Sequence, residues 1–150
     1  MQTFLPYEKF KKSAEVLDDK RLGKQRVECK QILLALGVSI GEHPGNTSSA
    51  WRNHPATVMW RGCESSLLLY SIRICDEWIR RGYRDKLRPQ FLKAFSQTGF
   101  TGWPEWLGDE SFHTSHRSNL LRKNESYYSR FSWNVANDKP YVWPSKGDAS

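Results

Sequence analysis

Apolar side chains return at helical spacing along three stretches of the chain, and the two-residue alternation of a half-buried strand is weak throughout. Between residues 18 and 37, Leu22, Cys29, Leu33 and Leu36 fall on one stripe. Asp18 or Asp19 stands where a helix cap belongs, and Gly37 where a helix stops. From Pro55 to Arg81, Ala56, Met59, Trp60, Cys63, Leu67, Tyr70, Ile74 and Trp78 share a face. This predicts one long helix, opened by Pro55 and closed by Gly82. A third helix is predicted from about Asp109 to Lys123, with Asp109 or Ser111 as its cap. "KLRPQFLKAF" predicts a short helix broken near Pro89, and "ESYYSRF" another short one. Residues 38–54 and "TGFTGWPEWLGD" carry turn dipeptides and read as loops. From about residue 132 the chain reads as an extended tail, "DKPYVWPS" being packed by Tyr141 and Trp143. The expectation is an all-α fold: a single compact domain over residues 1–150, with three main helices, short helices and long loops.

With 150 residues, 38% apolar and 26% charged, the chain is long enough for a core and too apolar for disorder. The net charge of +7 changes the picture, because a small domain this basic meets a polyanion or simply carries a solvated basic surface. Seven Trp, six Tyr and seven Phe serve a core or stack on bases. Three widely spaced cysteines, Cys29, Cys63 and Cys75, suit buried thiols in a reducing compartment better than a disulfide framework. No apolar run is long enough for a bilayer and no signal peptide is visible, so a cytoplasmic, nucleoid-associated monomer is expected.

The candidate chemistry starts in "LDDKRLGKQRVECKQIL", where five cationic side chains surround one carboxylate, Glu28. At about 100 degrees per residue, positions 21, 24, 25, 28, 31 and 32 share a helix face. Arg21, Lys24 and Gln25 then flank Glu28 at the boundary of the buried stripe, and these three with Arg26 are the candidate DNA contacts of this helix. Burial there raises a carboxyl pKa and the cations lower it, which suits an acid/base group. The competing reading is an exposed Lys24–Glu28 pair at i, i+4, common and weak.

A second constellation, "SFHTSHRSNLLRKNESYYSRF", puts His113, His116, Arg117, Arg122 and Lys123 on one predicted helix. Two histidines without a third ligand make a poor metal site, and phosphate or sugar contact is the more natural use. Arg130 with Tyr127 and Tyr128 pairs a cation with stacking rings; a solvated face over core tyrosines reads equally well. Arg52, Asn53 and His54 precede the second predicted helix, whose N-terminus is an anion site, although Asn53 could simply cap it. Nucleotide-binding glycine loops, GxSxG and HExxH are absent from the sequence, and neither a metal nor another cofactor is implied.

Three segments in order, "LDDKRLGKQRVE", "NHPATVMWRG" with "EWIRRGY", and "SHRSNLLRK" with "YYSRF", resemble the pyrimidine-dimer DNA glycosylase family of the phage endonuclease V type. The resemblance spans roughly residues 1 to 131. It implies a fold of three main helices and two linked activities on double-stranded, damaged DNA. The first is cleavage of the N-glycosidic bond of the 5′ base of a cyclobutane pyrimidine dimer. The second is strand breakage at the abasic site by β-elimination. It also implies a terminal α-amine as nucleophile and Glu28 as acid/base, with His54, Arg117 and Lys123 in DNA-facing regions. Free α-amines titrate near about 7.7 to 8.0, so a useful fraction is neutral and nucleophilic.

The chain departs from the pattern twice. Family members carry a small second residue that allows the initiator Met to be trimmed. Gln2 is bulky, which leaves the amine on Met1; a trimmed chain would present Gln2, which can cyclise and lose its amine. Members also have an arginine immediately before the glutamate; here that position is Val27, and Arg26 points about 200 degrees away from Glu28. Two other readings share the scaffold: a DNA-binding module without the chemistry, and a glycosylase for a different modified pyrimidine.

Overall fold

A computed structural model describes residues 1–144, and the last six positions of the predicted tail, 145–150, lie outside the described residues. Among the described residues the fold is all-α, as the spacing predicts, with a lone Ile40–His43 bridge as its sole β-type pairing. The helices are α1 (Phe10–Val16), α2 (Asp19–Ala35), α3 (Pro55–Val58), α4 (Glu64–Arg80), α5 (Arg88–Thr98), α6 (Glu110–Lys123) and α7 (Glu125–Tyr128). A 3₁₀ turn, Ser129–Phe131, follows α7. Among the described residues, no helix is long and apolar enough to cross a membrane.

α2 and α4 form the central pair, and α1 and α5 pack on α4. The α2 stripe buries Leu22, Cys29, Ile32 and Leu33 as their spacing requires. The cap position of α2 is Asp18, yet its carboxylate turns to the Tyr128 hydroxyl and to Arg21 instead of to the helix N–H groups. Gly37, at φ +93, lets the chain leave the helix.

Two expectations need correction, and one helix is new. The continuous helix over 55–81 is two helices: α3 ends at Val58, the chain turns through residues 59–62 with Gly62 at φ +84, and Cys63, outside helical geometry, precedes the restart as α4. The apolar stripe survives because Ala56, Met59, Trp60, Cys63, Leu67, Tyr70 and Ile74 are buried on either side of the break. Pro89 does not break a helix. It lies in the first turn of α5, where its missing N–H costs nothing, and Asp85 accepts the Arg88 N–H at 2.7 Å. α1 has no counterpart in the sequence reading, since seven residues with few apolar positions give too little period to detect.

α2 and α4 approach closely at Gly23. A Cβ there would meet the Trp78 ring at 2.8 Å. Trp78 has little room to yield, being stacked on Tyr83 at 4.1 Å, covered by Arg26, and hydrogen-bonded to the Arg84 carbonyl at 2.8 Å. Overpacking of about 1–3 kcal/mol outweighs the helix gain of about 1 kcal/mol from replacing glycine. Gly23→Ala should therefore lower stability by about 1 kcal/mol in urea titration; equal or greater stability would show that Trp78 can swing aside.

The tail is extended across α6. Ser118 Oγ accepts the Lys139 N–H at 2.9 Å, Ser115 Oγ accepts the Val142 N–H at 3.1 Å, and Tyr141 and Trp143 pack against the core.

Candidate active site

Residues 2–6 are buried, and the fold holds them by side chains from three helices and the turn after α3. Gln25 of α2 is the centre of this arrangement. Its amide nitrogen donates to the Gln2 carbonyl at 2.5 Å, and its oxygen accepts the Phe4 N–H at 2.7 Å. Tyr70 of α4 donates to the Phe4 carbonyl at 2.6 Å. Trp60 donates its indole N–H to Thr3 Oγ1 at 3.0 Å. From α6, His116 Nδ1 accepts the Leu5 N–H at 2.9 Å, and Arg117 donates to the Pro6 carbonyl at 2.6 Å. His113 Nε2 accepts the Gly108 N–H, which leaves its Nδ1–H to donate to the Leu5 carbonyl at 2.8 Å. Burying bare backbone is costly, and these bonds satisfy it.

The result is a chain start fixed beside Glu28. Met1, Gln2, Phe4, Lys20, Arg21, Lys24, Glu28, Lys123 and Tyr141 line one cleft of about 330 Å³. The Glu28 side chain is 13% exposed. One oxygen accepts the Gln25 amide at 3.1 Å, and the carboxylate also accepts the Gln2 backbone N–H. Burial raises the Glu28 pKa above the ordinary carboxyl value, against the opposing pull of the terminal ammonium, Lys24 and these two hydrogen bonds. The Lys24–Glu28 pair does form, at 3.9 Å, but Lys24 is 72% exposed while its partner is largely enclosed. Glu28 is thus placed by Gln25 and the chain start, with Lys24 as a loose neighbour.

His54 caps α3, its Nδ1 accepting the Ala56 N–H at 3.0 Å, so the cap is His54 rather than Asn53. Burial lowers its pKa, and the terminal amine lowers it further. Trp51 and Trp143 meet it edge-on.

Several expected DNA contacts have other duties here. Gln25, His113 and His116 are buried and hold the N-terminal segment, so they are corrected from DNA contacts to supports. Burial holds His116 at about 3, neutral at any physiological pH. Arg26 pairs with Asp85 at 2.6 Å and covers Trp78, on the far side of the helix from Glu28, as its 200-degree offset requires. The Arg117 guanidinium is engaged by Glu110, Thr114 and the Pro6 carbonyl. Arg122 braces the tail through the Asn137 carbonyl at 3.0 Å. Arg52 is half-buried and reaches the Ala35 carbonyl at 3.5 Å, Asn53 is exposed, and both precede a four-residue helix instead of a long one. Arg21, Lys24 and Lys123 do reach the cleft.

Three cleft residues were not singled out from the sequence: Phe4 comes with the buried chain start, and the other two are Lys20 and Tyr141. Lys20 stands at i, i+4, i+8 with Lys24 and Glu28, a row the spacing does contain. Tyr141 arrives from the tail, and no local pattern announces it; burial raises its hydroxyl to about 12, so the ring presents a neutral phenol.

The first 89 residues, more than half of the chain, match the family model described as pyrimidine dimer DNA glycosylase. No curated protein and no solved structure matches the chain. The matched region contains Met1, Glu28, the Gln25 and Tyr70 supports and three of the four cleft cations. On that match the chain belongs to the pyrimidine dimer DNA glycosylase family, whose members are DNA repair glycosylases with DNA as their substrate.

Proposed function

We propose that the protein excises the 5′ base of a pyrimidine dimer and then cuts the strand at the resulting abasic sugar. The observation that carries this reading is the meeting of Glu28 and the terminal amine in one cation-lined cleft. The neutral amine attacks C1′, the glycosidic bond breaks, and its electron pair leaves with the base. Opening of the sugar ring gives an imine between C1′ and the terminal nitrogen. Loss of a C2′ proton then expels the 3′ phosphate by β-elimination. Glu28 as carboxylate stabilises the cationic sugar in the first stage and takes or returns protons in the second. Lys20, Arg21, Lys24 and Lys123 neutralise the flanking phosphates. Extruding the damaged nucleotide costs a few kcal/mol, least where stacking is already broken.

Borohydride trapping tests this. Incubation with duplex carrying a cyclobutane dimer should yield a stable protein–DNA adduct, and peptide mass analysis should place it on residue 1. Absence of an adduct while DNA binding persists would overturn the lyase assignment. A chain whose amine is blocked, as a trimmed and cyclised Gln2 would be, should bind and not cleave, and N-terminal mass analysis reads that state directly.

A further inference from the structure

A second groove, of about 670 Å³, lies between the start of α1, α4 and the loop that precedes α6, and shares no lining residue with the Glu28 cleft. Phe10, Trp103, Pro104 and Leu107 form its floor. Trp103 is 55% exposed, and its edge-on neighbour Phe100 is 66% exposed, the two most exposed large apolar side chains described. This exposure does not come from a loose loop. Ser65 and Thr101 exchange hydrogen bonds at 2.8 to 3.0 Å, Ser66 donates to the Gly102 carbonyl at 2.5 Å, and Trp106 donates to the Met59 carbonyl at 2.9 Å. The fold thus pins the loop on both sides of Trp103 and still presents the ring to solvent. A contiguous apolar patch kept exposed on a fixed scaffold marks an interaction surface.

The rim selects the occupant. Lys9 and Lys11 are exposed and make no ion pair among the described residues. Arg73 adds a third cation, although it already meets Asp76 at 3.2 Å. A second copy of a chain with net charge +7 would be repelled by this rim. Nucleic acid fits poorly, because the floor is a depression of proline, leucine and ring edges instead of a row of open ring faces, and Glu8 on the rim would face phosphates. A peptide fits both features: its carboxylates meet Lys9 and Lys11, a backbone N–H meets Glu8, and one large side chain fills the depression.

We propose that this groove docks an acidic peptide segment of a partner protein, with one large apolar side chain of that segment seated against Trp103. The partner would be recruited without occupying the Glu28 cleft. The test titrates the full chain with an acetylated hexapeptide of four aspartates, a leucine and a phenylalanine, following the Trp103 indole resonance by NMR. The resonance is assigned by its loss in Trp103→Ala. Saturable shifts at Trp103 are expected, with binding weakened about tenfold or more by Trp103→Ala and by Lys9→Glu with Lys11→Glu. Lys86→Glu, a charge change outside the groove, should leave peptide affinity unchanged, and DNA cleavage by Trp103→Ala should equal that of the wild type. Failure of the peptide to bind would overturn the proposal. So would binding indifferent to Trp103, or preference of the site for a thymidine hexanucleotide or for a second copy of the chain.

Discussion

Replacing Glu28 by Gln should slow base release at neutral pH by about a thousandfold, while duplex affinity stays the same or tightens. The substitution is nearly isosteric, so the cleft keeps its shape. An amide oxygen can still accept the Gln25 N–H now bound at 3.1 Å. What disappears is a negative charge in a largely enclosed position, where a developing cationic sugar needs it most and where water screens it least. The DNA-binding surface loses an anion among its cations, which explains the unchanged or tighter affinity. Single-turnover measurement on dimer-containing duplex separates the two quantities, because it reads bond cleavage after binding is complete. If the variant retains wild-type rates, Glu28 is a structural partner of Lys24 and Gln25, and the proposed chemistry fails. The raised Glu28 pKa adds a second readout. Its working form is the carboxylate, so the wild-type rate should fall as pH drops through that raised value. The residual rate of the Gln variant should lack this contribution and retain the amine's own titration.

The parts of this site legible in the sequence were those governed by local periodicity. Glu28 at the edge of a buried stripe follows from the helical turn, and so does the opposite direction of Arg26, which the structure occupies with Asp85 and Trp78. The helix spacing of α6 was equally legible, but its meaning was not. His113, His116 and Arg117 look like a DNA-facing row until the N-terminal segment is laid against them, more than a hundred residues away in sequence. Polar residues on a helix face answer to whatever polar backbone passes over them, and the pattern of one helix does not identify that partner. Gln25 carries the same lesson: its spacing puts it beside Glu28 but does not reveal that it satisfies the Gln2 carbonyl and the Phe4 N–H while donating to the Glu28 carboxylate. The break at Gly62 escaped detection because the apolar period on its two sides happens to stay in phase. Tyr141 lay beyond any local argument, since only the crossing of the tail over α6 brings it to the cleft.

The role of His116 in holding the chain start makes acid a specific way to loosen the site. Its Nδ1 accepts the Leu5 N–H, so the neutral ring carries its proton on Nε2, a buried nitrogen without a hydrogen-bond partner among the described residues. A second proton would have to displace the Leu5 bond and place a charge among Phe4, Phe112 and Tyr141, beside His113. Burial, followed by the effect of His113, therefore holds the folded-state pKa at about 3. The unfolded chain binds the same proton near about 6.5, so between these values the unfolded state carries more protons and stability rises with pH. The contribution is complete above about 6.5 and is lost on acidification at about 1.4 kcal/mol per pH unit, roughly 2 kcal/mol by pH 5. In His116→Asn the carboxamide oxygen can accept the Leu5 N–H without titrating, at the expense of a cavity that costs the same at every pH. Urea unfolding at pH 7.5 and pH 5 should show the wild type losing about 2 kcal/mol more than the variant over that interval. The carboxylates common to both proteins cancel in this comparison, and so does the cavity. The protection factor of the Leu5 amide, which removes the intrinsic slowing of exchange in acid, should fall in parallel in the wild type alone, because the opened chain start is the state that takes up the proton and the Leu5 bond is the one that fixes residues 2–5 next to Glu28. Identical pH slopes in the two proteins would mean that the ring accepts its second proton without leaving Leu5, and the chain start would then be held by Gln25 and Tyr70 with no help from α6.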